Sequence, residues 1–188
     1  MKKLVSTSNL RHEEWLRYRK FGIGGSDAGA ICGLNRYLTA TQVYFDKTSD
    51  AVEDTDNEAM RQGRDLEDYV AQRFMQVTGK KVRRANAIFY HEEYPFLLAN
   101  IDRMVSGENA GLECKTASPY LAEKWKDEEI PMHYQVQCYH YMAVCNAEAW
   151  YIAVLIYGRE FKFHRIERDE QVIADLIQIE KDFLERNV

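Results

Sequence analysis

The sequence predicts a layered domain of the α/β or α+β class, with a central mixed sheet of about five strands flanked by helices. One observation behind this prediction is the order of hydrophobic patterns. Helical periodicity fills residues 9–77, strand-like alternation follows with one helix inside it, and a helical pattern closes the chain. Another is size, because 188 residues with 46% hydrophobic content can bury roughly 70% of the unfolded surface in one core. We therefore expect one domain over 1–188, with a basic helical part in 1–47, a core in 57–167 and a C-terminal helix in 169–188.

Four helices are predicted before the first strand. Residues 9–20 place Leu, Trp and Tyr among charged residues behind Asn9, which we expect to be the N-cap. The stretch FGIGGSDAGAICGL predicts a glycine-rich turn and a short helix capped by Ser26. Two further helical patterns cover Thr39–Lys47 and Asn57–Val77.

The strands follow Gly79, which we expect to end the fourth helix. The stretch VRRANAIFYHEEYPFLLANIDRMV predicts two strands separated by the turn HEEYP, and AGLECKT predicts a third. Pro131 is expected in the first turn of a helix, and Ala147–Tyr157 with Glu160–Glu167 predicts a hairpin.

Charge is distributed unevenly along the chain. The formal net charge of −5 argues against a protein that coats nucleic acid by charge alone. Residues 1–47 nevertheless hold eight Lys or Arg against four Asp or Glu, whereas the segment 48–60 contains Asp50, Glu53, Asp54, Asp56 and Glu58 and no basic residue. This asymmetry suits a local anion site on an acidic body, although a solvated acidic loop explains the second segment equally well.

The compartment is predicted from apolar runs and cysteines. No apolar run approaches the roughly 20 residues that cross a bilayer, and the start MKKLVSTSNL lacks the apolar region of a signal peptide. The four cysteines form no CxxC pair, and Cys138 and Cys145 would lie about 10 Å apart along a helix, too far for a disulfide. We expect a soluble, unexported cytoplasmic protein with reduced thiols and no membrane partner.

The stretch Leu98–Thr116 carries the first candidate site. Alternation along its first strand puts Asp102 in an otherwise apolar run, on the same face as Asn100. After a turn, Glu113 and Lys115 share one face of the next strand. Two carboxylates and an ammonium group are therefore expected to converge.

Glu67 is the second anomaly of the pattern. On its predicted helix it falls within about 60° of the apolar face that Val70, Ala71 and Phe74 form. A carboxylate turned toward a core must be paired, hydrogen-bonded or bound to metal. Taken alone, Glu67 is explained equally well by a functional role and by a structural one, in which it reaches solvent or meets an arginine.

Together these residues predict metal-dependent phosphodiester hydrolysis. Asp102, Glu113 and the backbone carbonyl of Cys114 offer the oxygen ligands that Mg²⁺ prefers. Lys115 is placed to orient the attacking water or to stabilise negative charge, and Glu67 to hold a metal-bound water or a second ion. The alternative is a structural salt bridge of Lys115 with one carboxylate, which leaves Glu67 and the other acid unexplained.

The pattern of Ile-Asp102 followed by Glu113-x-Lys115 resembles the PD-(D/E)xK nuclease superfamily. Further stretches resemble its YqaJ-type and lambda-exonuclease branch along almost the whole chain: WLRYRKFGIGGSDAGAICGLNRY, QGRDLEDYVAQRF, GLECKTAS and HYQVQCYHYMAV. This resemblance implies a restriction-endonuclease-like core. It also implies two Mg²⁺ or Mn²⁺ ions bound by Asp102 and Glu113, with Glu67 and Gln135 completing the site. The chain departs from the superfamily name in having Ile101, not proline, before the aspartate.

A second site is indicated by the glycine-rich stretch. Backbone N–H groups at a helix start attract phosphate, and Ser26 and Arg19 add a hydroxyl and a guanidinium. The resemblance implies that Arg19 and Ser26 form a pocket for a 5′-terminal phosphate and that Asn100 contacts DNA. The alternative makes Ser26 a simple N-cap and Arg19 a solvated residue, which Asp27 in the first turn favours.

The predicted function is a metal-dependent deoxyribonuclease, specifically a 5′-to-3′ exonuclease that degrades one strand of duplex DNA from 5′-phosphorylated ends in phage-type recombination. The alternatives are a catalytically silent DNA-binding scaffold, an endonuclease of the same superfamily, and a hydrolase of small phosphate esters. The resemblance also suggests a ring-shaped homotrimer, a single-strand annealing protein as partner, and a phage or prophage origin in a bacterial host.

Overall fold

The computed structural model describes residues 1–52 and 56–187. Glu53 and Asp54 of the predicted acidic segment lie outside these residues. The described elements follow one another in this order: β1 (Lys2–Ser6), α1 (His12–Arg19), α2 (Gly25–Ile31), α3 (Ala40–Thr48), α4 (Glu58–Thr78), β2 (Val82–Arg84), β3 (Ala87–Tyr90), β4 (Leu98–Asn100), β5 (Arg103–Val105), β6 (Ala110–Ala117), a 3₁₀ helix (Pro119–Glu128), α5 (Met132–Cys145), β7 (Ala149–Ile156), β8 (Glu160–Glu167) and α6 (Glu170–Asn187).

The predicted five-stranded mixed sheet flanked by helices is confirmed. Its strand order is β2-β5-β6-β7-β8, and β6 and β7 pair in parallel while the other neighbours are antiparallel. The chain returns from β6 to β7 through the 3₁₀ helix and α5, as a parallel pair requires a crossover connection.

A second, three-stranded sheet was not predicted. It has the antiparallel order β1-β3-β4, and β1 lies in a segment for which the sequence predicts no element. The prediction of a single strand in FLLANIDRMV, after the turn HEEYP, is wrong. The chain leaves one sheet after Asn100 and enters the other at Arg103, because β4 pairs with β3 whereas β5 pairs with β2 and β6. Asp102 therefore stands at the junction of the two sheets.

The predicted starts of the third and fourth helices at Thr39 and Asn57 lie one residue before α3 and α4, and the predicted end at Gly79 is confirmed. Thr39 accepts the N–H of Gln42 at the start of α3, Asn57 accepts that of Met60 at the start of α4, and Gly79 ends α4 with a φ of 71°. Two predicted caps are wrong. Arg11 takes the cap position of α1 in place of Asn9.

At α2 the cap position belongs to Gly24, and Ser26 is the second residue of the helix. Asp27, the third residue of the helix, accepts the backbone N–H of Gly24 through its carboxylate at 2.8 Å, as the acidic residue of a capping box does. The hydroxyl of Ser26 is consequently not used to close the helix.

The core lies on both faces of β7, which is buried along nearly its whole length. One face packs against α5, where Met142 and Trp150 are buried, and the other against α4, where Phe74 contacts Tyr151. The same division separates the side chains of β6: Leu112 packs with the α4 cluster, whereas Glu113 contacts α5. Within the described residues, no helix has the length and apolar character needed to cross a membrane.

Candidate active site

Asp102 and Glu113 meet where the two sheets join. Asp102 Oδ2 accepts the backbone N–H of Cys114 at 2.8 Å, which fixes this carboxylate against β6. The pKa of Asp102 is well above its ordinary value because of burial and because the negative charges of Glu113 and Glu67 lie close to it. The site therefore gathers more negative charge than its own cations neutralise.

Glu113 is 4% exposed, and its two oxygens differ in their contacts. Oε1 accepts a hydrogen bond from Nε2 of Gln137 at 2.7 Å and forms an ion pair with Nζ of Lys115 at 2.6 Å. Oε2 is buried and has no hydrogen-bond partner within the described part of the chain. Because buried carboxylate oxygens are normally satisfied, this atom indicates a position for a ligand that the protein itself does not supply.

Lys115 forms the ion pair with Glu113 and lies over the ring of Tyr134, with Nζ 4.8 Å from the ring centroid. Burial alone would lower the pKa of Lys115, but Glu113, Tyr134 and Asp102 outweigh it and raise the pKa. The ammonium is thus charged at neutral pH. The predicted structural salt bridge exists, but it leaves Asp102 and one oxygen of Glu113 uncompensated.

Glu67 has an arginine partner, which is one form of the structural explanation that the sequence left open. Arg103 is 4% exposed, and its Nη1 lies 2.5 Å from Glu67 Oε1 and 2.6 Å from the backbone oxygen of Asp102. Its Nη2 lies 2.5 Å from Asp68 Oδ1. Glu67 is therefore joined to Asp102 through a guanidinium, and it affects the site through its charge.

The structure places Gln137, rather than Gln135, beside the carboxylates. The amide of Gln135 donates to the backbone oxygen of Ile130 at 2.7 Å, whereas that of Gln137 donates to Glu113 and to the hydroxyl of Tyr141 at 3.1 Å. Two positions apart on a helix means a rotation of about 200°, so the two amides point to opposite sides. The one-turn spacing of Gln137 and Tyr141 could have indicated that these two residues share a face of α5. Because α5 is mostly buried, its sequence does not show which of its faces meets the carboxylates.

One cleft of about 180 Å³ unites the two sites that the sequence predicted separately. Its lining includes residues of both, together with Gln137: Arg19, Ser26, Asn100, Asp102, Glu113 and Gln137. The phosphate-binding candidates of α1 and α2 therefore face the same space as the carboxylates.

Arg19 and Ser26 are in contact, with Arg19 Nη2 donating to Ser26 Oγ at 3.3 Å. The guanidinium also lies over the ring of Trp15 at 4.7 Å, and the indole N–H of Trp15 donates to Asn100 Oδ1 at 3.3 Å. The sequence pattern predicts only that Trp15 is a helix residue, whereas in the structure it connects Arg19 to Asn100. Gly25 allows α2 to approach α5 closely, because a Cβ at this position would come within 2.7 Å of the ring of Tyr141.

The donor set fits a hard divalent ion that takes part of its ligands from the protein. In the part of the chain that the structure describes, no three His, Cys, Asp or Glu side chains gather into a complete metal site. Asp102 and Glu113 supply two carboxylates, one of them with an unpartnered buried oxygen. A partial set of this kind is characteristic of Mg²⁺ sites, in which waters and substrate oxygens complete the coordination.

Residues 14–148 match the family model of the YqaJ-like viral recombinase domain. The chain belongs to this family. A relative from Bacillus subtilis (strain 168), uncharacterized protein YqaJ, is 47% identical over 183 residues, which are 96% of this chain and 57% of the relative. This YqaJ-like domain thus spans little more than half the length of that relative.

Solved structures share the fold of this YqaJ-like domain. An alkaline exonuclease from Laribacter hongkongensis superimposes with a TM-score of 0.79 at 20% identity, covering 93% of this chain and 92% of the other. A phage-related exonuclease from Haemophilus somnus 129PT gives a TM-score of 0.72 at 12% identity, with coverage of 88% and 93%. At these identities the likeness establishes the mixed α/β architecture.

Proposed function

We propose that this YqaJ-like domain is a metal-dependent deoxyribonuclease of the PD-(D/E)xK type that degrades one strand of linear duplex DNA, 5′ to 3′, from 5′-phosphorylated ends. The observation that carries the proposal is the single cleft in which Arg19 and Ser26 face Asp102 and Glu113. A terminal phosphate and a scissile phosphate belong to one DNA strand, so an end-dependent nuclease needs both sites in one space. The exonuclease names of the structural relatives agree with it.

Asp102, Glu113 and the backbone carbonyl of Cys114 would hold Mg²⁺ or Mn²⁺. The bound ion supplies a nucleophilic water near neutral pH and neutralises charge on the phosphate in the transition state. The N–H of Cys114 keeps Asp102 oriented, and the amide of Gln137 keeps Glu113 oriented. We expect two ions per chain, as in two-metal phosphodiester sites, a number that calorimetric titration with Mn²⁺ counts.

Lys115 acts beside Glu113 as a permanent positive charge. Its ammonium can donate to the attacking water or to a phosphate oxygen, because an amine with a raised pKa stays protonated through the reaction. Glu67, held by Arg103, adds negative charge that favours cation binding at Asp102.

Arg19 and Ser26 would receive the 5′-terminal phosphate. A guanidinium forms charge-assisted hydrogen bonds with phosphate oxygens, and the hydroxyl of Ser26 is already within reach of Arg19. Asn100, tied to Trp15, lies in the same lining and would contact the DNA strand between the two sites.

The direct test compares linear duplexes carrying 5′-phosphate or 5′-hydroxyl ends, with Mg²⁺ and with a chelator. We expect cleavage only with the metal, release of nucleotides from the 5′-phosphorylated end, and loss of the phosphate preference in Arg19→Ala. Equal cutting of circular plasmid would replace the exonuclease with an endonuclease. A protein that binds DNA but takes up no Mn²⁺ through Asp102 and Glu113 would instead be a recombination scaffold.

Assembly and cellular context extend the proposal. We propose that the protein forms a homotrimeric ring that encloses DNA and that it works with a single-strand annealing protein. We also propose that it is encoded by a phage or prophage and acts in the cytoplasm of the bacterial host. Sedimentation velocity decides the first point, since a protein that stays monomeric at all concentrations cannot form a ring.

A further inference from the structure

Lys47 connects the two helices that carry Arg19 and Ser26, the residues of the proposed phosphate pocket. Its Nζ lies 2.8 Å from Asp27 Oδ2 and donates to the backbone oxygen of Arg19 at 2.9 Å. The side chain of Lys47 is 9% exposed and that of Asp27 is 6% exposed. A single buried ammonium on α3 therefore joins the end of α1 to the first turn of α2.

Asp27 is a buried negative charge directly beside the proposed phosphate pocket. It follows Ser26 in the chain, and its Oδ2 also accepts the N–H of Gly24 at 2.8 Å. Burial alone would raise the pKa of Asp27, but the charges of Lys47 and Arg19 outweigh it and hold the pKa below its ordinary value. The carboxylate is thus ionised and within the electrostatic reach of Arg19.

Asp27 and a bound phosphate would compete for the guanidinium of Arg19, because both are negatively charged. A phosphate that binds Arg19 is repelled by the carboxylate of Asp27, and the same carboxylate can attract Arg19 away from Ser26. The ammonium of Lys47 occupies Asp27 Oδ2, whereas Arg19 contacts Ser26 and borders the cleft. Asp46 also lies near Lys47, at 3.6 Å, but its side chain is 50% exposed and its charge is accordingly better screened.

We propose that Lys47 is a positioning residue: its ion pair with Asp27 neutralises the charge that would otherwise oppose a terminal phosphate and draw Arg19 away from Ser26. The inference rests on the proposed phosphate pocket and extends it to two residues that lie outside the lining of the cleft. It differs from a purely structural role, because a buried ion pair that only supported the fold would affect all substrates equally.

The test measures equilibrium binding in a chelator by fluorescence anisotropy, using one duplex with either a 5′-phosphate or a 5′-hydroxyl end. The readout is the ratio of the two affinities, which a change in folded fraction leaves unaltered. In Lys47→Met, Asp27 remains without its main partner, and we expect the ratio to fall about tenfold. In the double variant Lys47→Met/Asp27→Asn both charges are gone, and the ratio should return to within about threefold of the parent.

Two further variants complete the design. Asp27→Asn alone removes the repelling charge, so the ratio should be kept or should rise, and this result is available even if Lys47→Met does not fold. Lys80→Met is the matched control, because it breaks the ion pair with Glu108 at the β5–β6 turn and should leave the ratio unchanged.

The outcomes separate this inference from the proposed function. If the parent shows no phosphate preference, or Arg19→Ala retains it, the pocket itself is wrong and the inference falls with it. If Arg19→Ala abolishes the preference but Lys47→Met keeps it, the pocket stands and the ion pair is only structural. A loss in Asp27→Asn as large as in Lys47→Met, or no recovery in the double variant, also overturns the inference.

Discussion

Glu113 concentrates the chemistry of the site in one side chain. It is nearly inaccessible to solvent, yet only one of its oxygens is satisfied by the protein. Lys115 and Gln137 share that oxygen and leave the other directed at no polar partner among the described residues. A divalent cation is the natural complement, since it would satisfy Oε2 and offset the charge that Asp102 adds.

Glu113→Gln should abolish cation binding while preserving the fold. The amide keeps the shape of the side chain but removes the negative charge, so we expect at least about a hundredfold loss of cleavage. Calorimetry with Mn²⁺ should show lost or strongly weakened binding. Glu160→Gln, on exposed β8, is the control and should behave like the parent. Unaltered Mn²⁺ affinity in Glu113→Gln would contradict the assignment.

The raised pKa of Asp102 makes a prediction about stability in the absence of metal. A carboxyl whose folded pKa exceeds its unfolded value of about 3.9 contributes stability below that value, and this contribution is lost as pH rises through the folded pKa. Asp102→Asn should therefore stabilise the metal-free protein at pH 7 by about 1 kcal/mol.

The measurement is urea unfolding with a chelator across the acid and neutral range. The gain from Asp102→Asn should shrink toward pH 4, and added Mn²⁺ should stabilise the parent but not the variant. A variant that is less stable than the parent at pH 7 would show that carboxylate repulsion does not dominate at this position.

At the scale of elements, the packing of α2 against α5 connects the proposed phosphate pocket of Arg19 and Ser26 to the carboxylates of Asp102 and Glu113. Gly25 permits this approach, since a Cβ would meet the ring of Tyr141 at 2.7 Å and the side chain of Gln137 at 2.9 Å. Both neighbours belong to the lining of the cleft, and Gln137 holds Glu113. A shift of α2 would therefore be transmitted to the carboxylates.

Gly25→Ala should destabilise the protein by about 1–3 kcal/mol, because the added methyl group overpacks the contact. Cleavage should fall more than the folded fraction does, as Gln137 and Tyr141 are displaced. Gly63→Ala is the matched substitution within α4, where the new Cβ would meet Thr116 at an ordinary 3.8 Å. It should stabilise by up to about 1 kcal/mol through helix propensity. Chemical denaturation of both variants distinguishes crowding from a general intolerance of alanine.

A buried pair attaches the C-terminal helix to the same region. His140 Nδ1 lies 2.7 Å from Glu180 Oε1, and His140 Nε2 lies 2.8 Å from the backbone oxygen of Leu98, with both residues fully buried. Burial alone would lower the pKa of His140, but the Glu180 carboxylate and the hydrogen bond to Leu98 raise it. The pair thus joins α5 and α6 to β4, two residues before Asn100.

Removing one partner of this pair should be costly. His140→Ala leaves a buried carboxylate, and we expect a loss of about 3–5 kcal/mol. Because the folded pKa is raised, the imidazolium contributes stability below its unfolded value of about 6.5, and this is lost as pH rises through the folded pKa. Urea midpoints of the parent should accordingly decline on the alkaline side, and this decline should be absent in His140→Ala.

At the scale of the whole molecule, the candidate active site lies where the chain passes from one sheet to the other. Asn100 ends a strand of the three-stranded sheet, Arg103 begins a strand of the five-stranded sheet, and Asp102 stands between them. The cleft is bounded by α1, α2 and α5 as well, so no single motif builds it. Its integrity depends on how segments between residues 15 and 141 of the chain pack together.

The sequence by itself determined what depends on near neighbours. The starts of the third and fourth helices at Thr39 and Asn57, the end of α4 at Gly79, and the shared face of Glu113 and Lys115 all follow from local conformational preferences and periodicities of a few residues. The five-stranded mixed sheet followed from the order of such patterns.

Only the tertiary structure decided which distant groups meet. Gln137 rather than Gln135 reaches Glu113, Arg103 takes Glu67, and Lys47 is buried against Asp27. Each of these pairs spans 20 or more positions, so no local period encodes it. The physical reason is that a buried polar or charged side chain can pair only with a group that the tertiary structure brings next to it. The packing of the whole core determines which helices and strands lie next to one another.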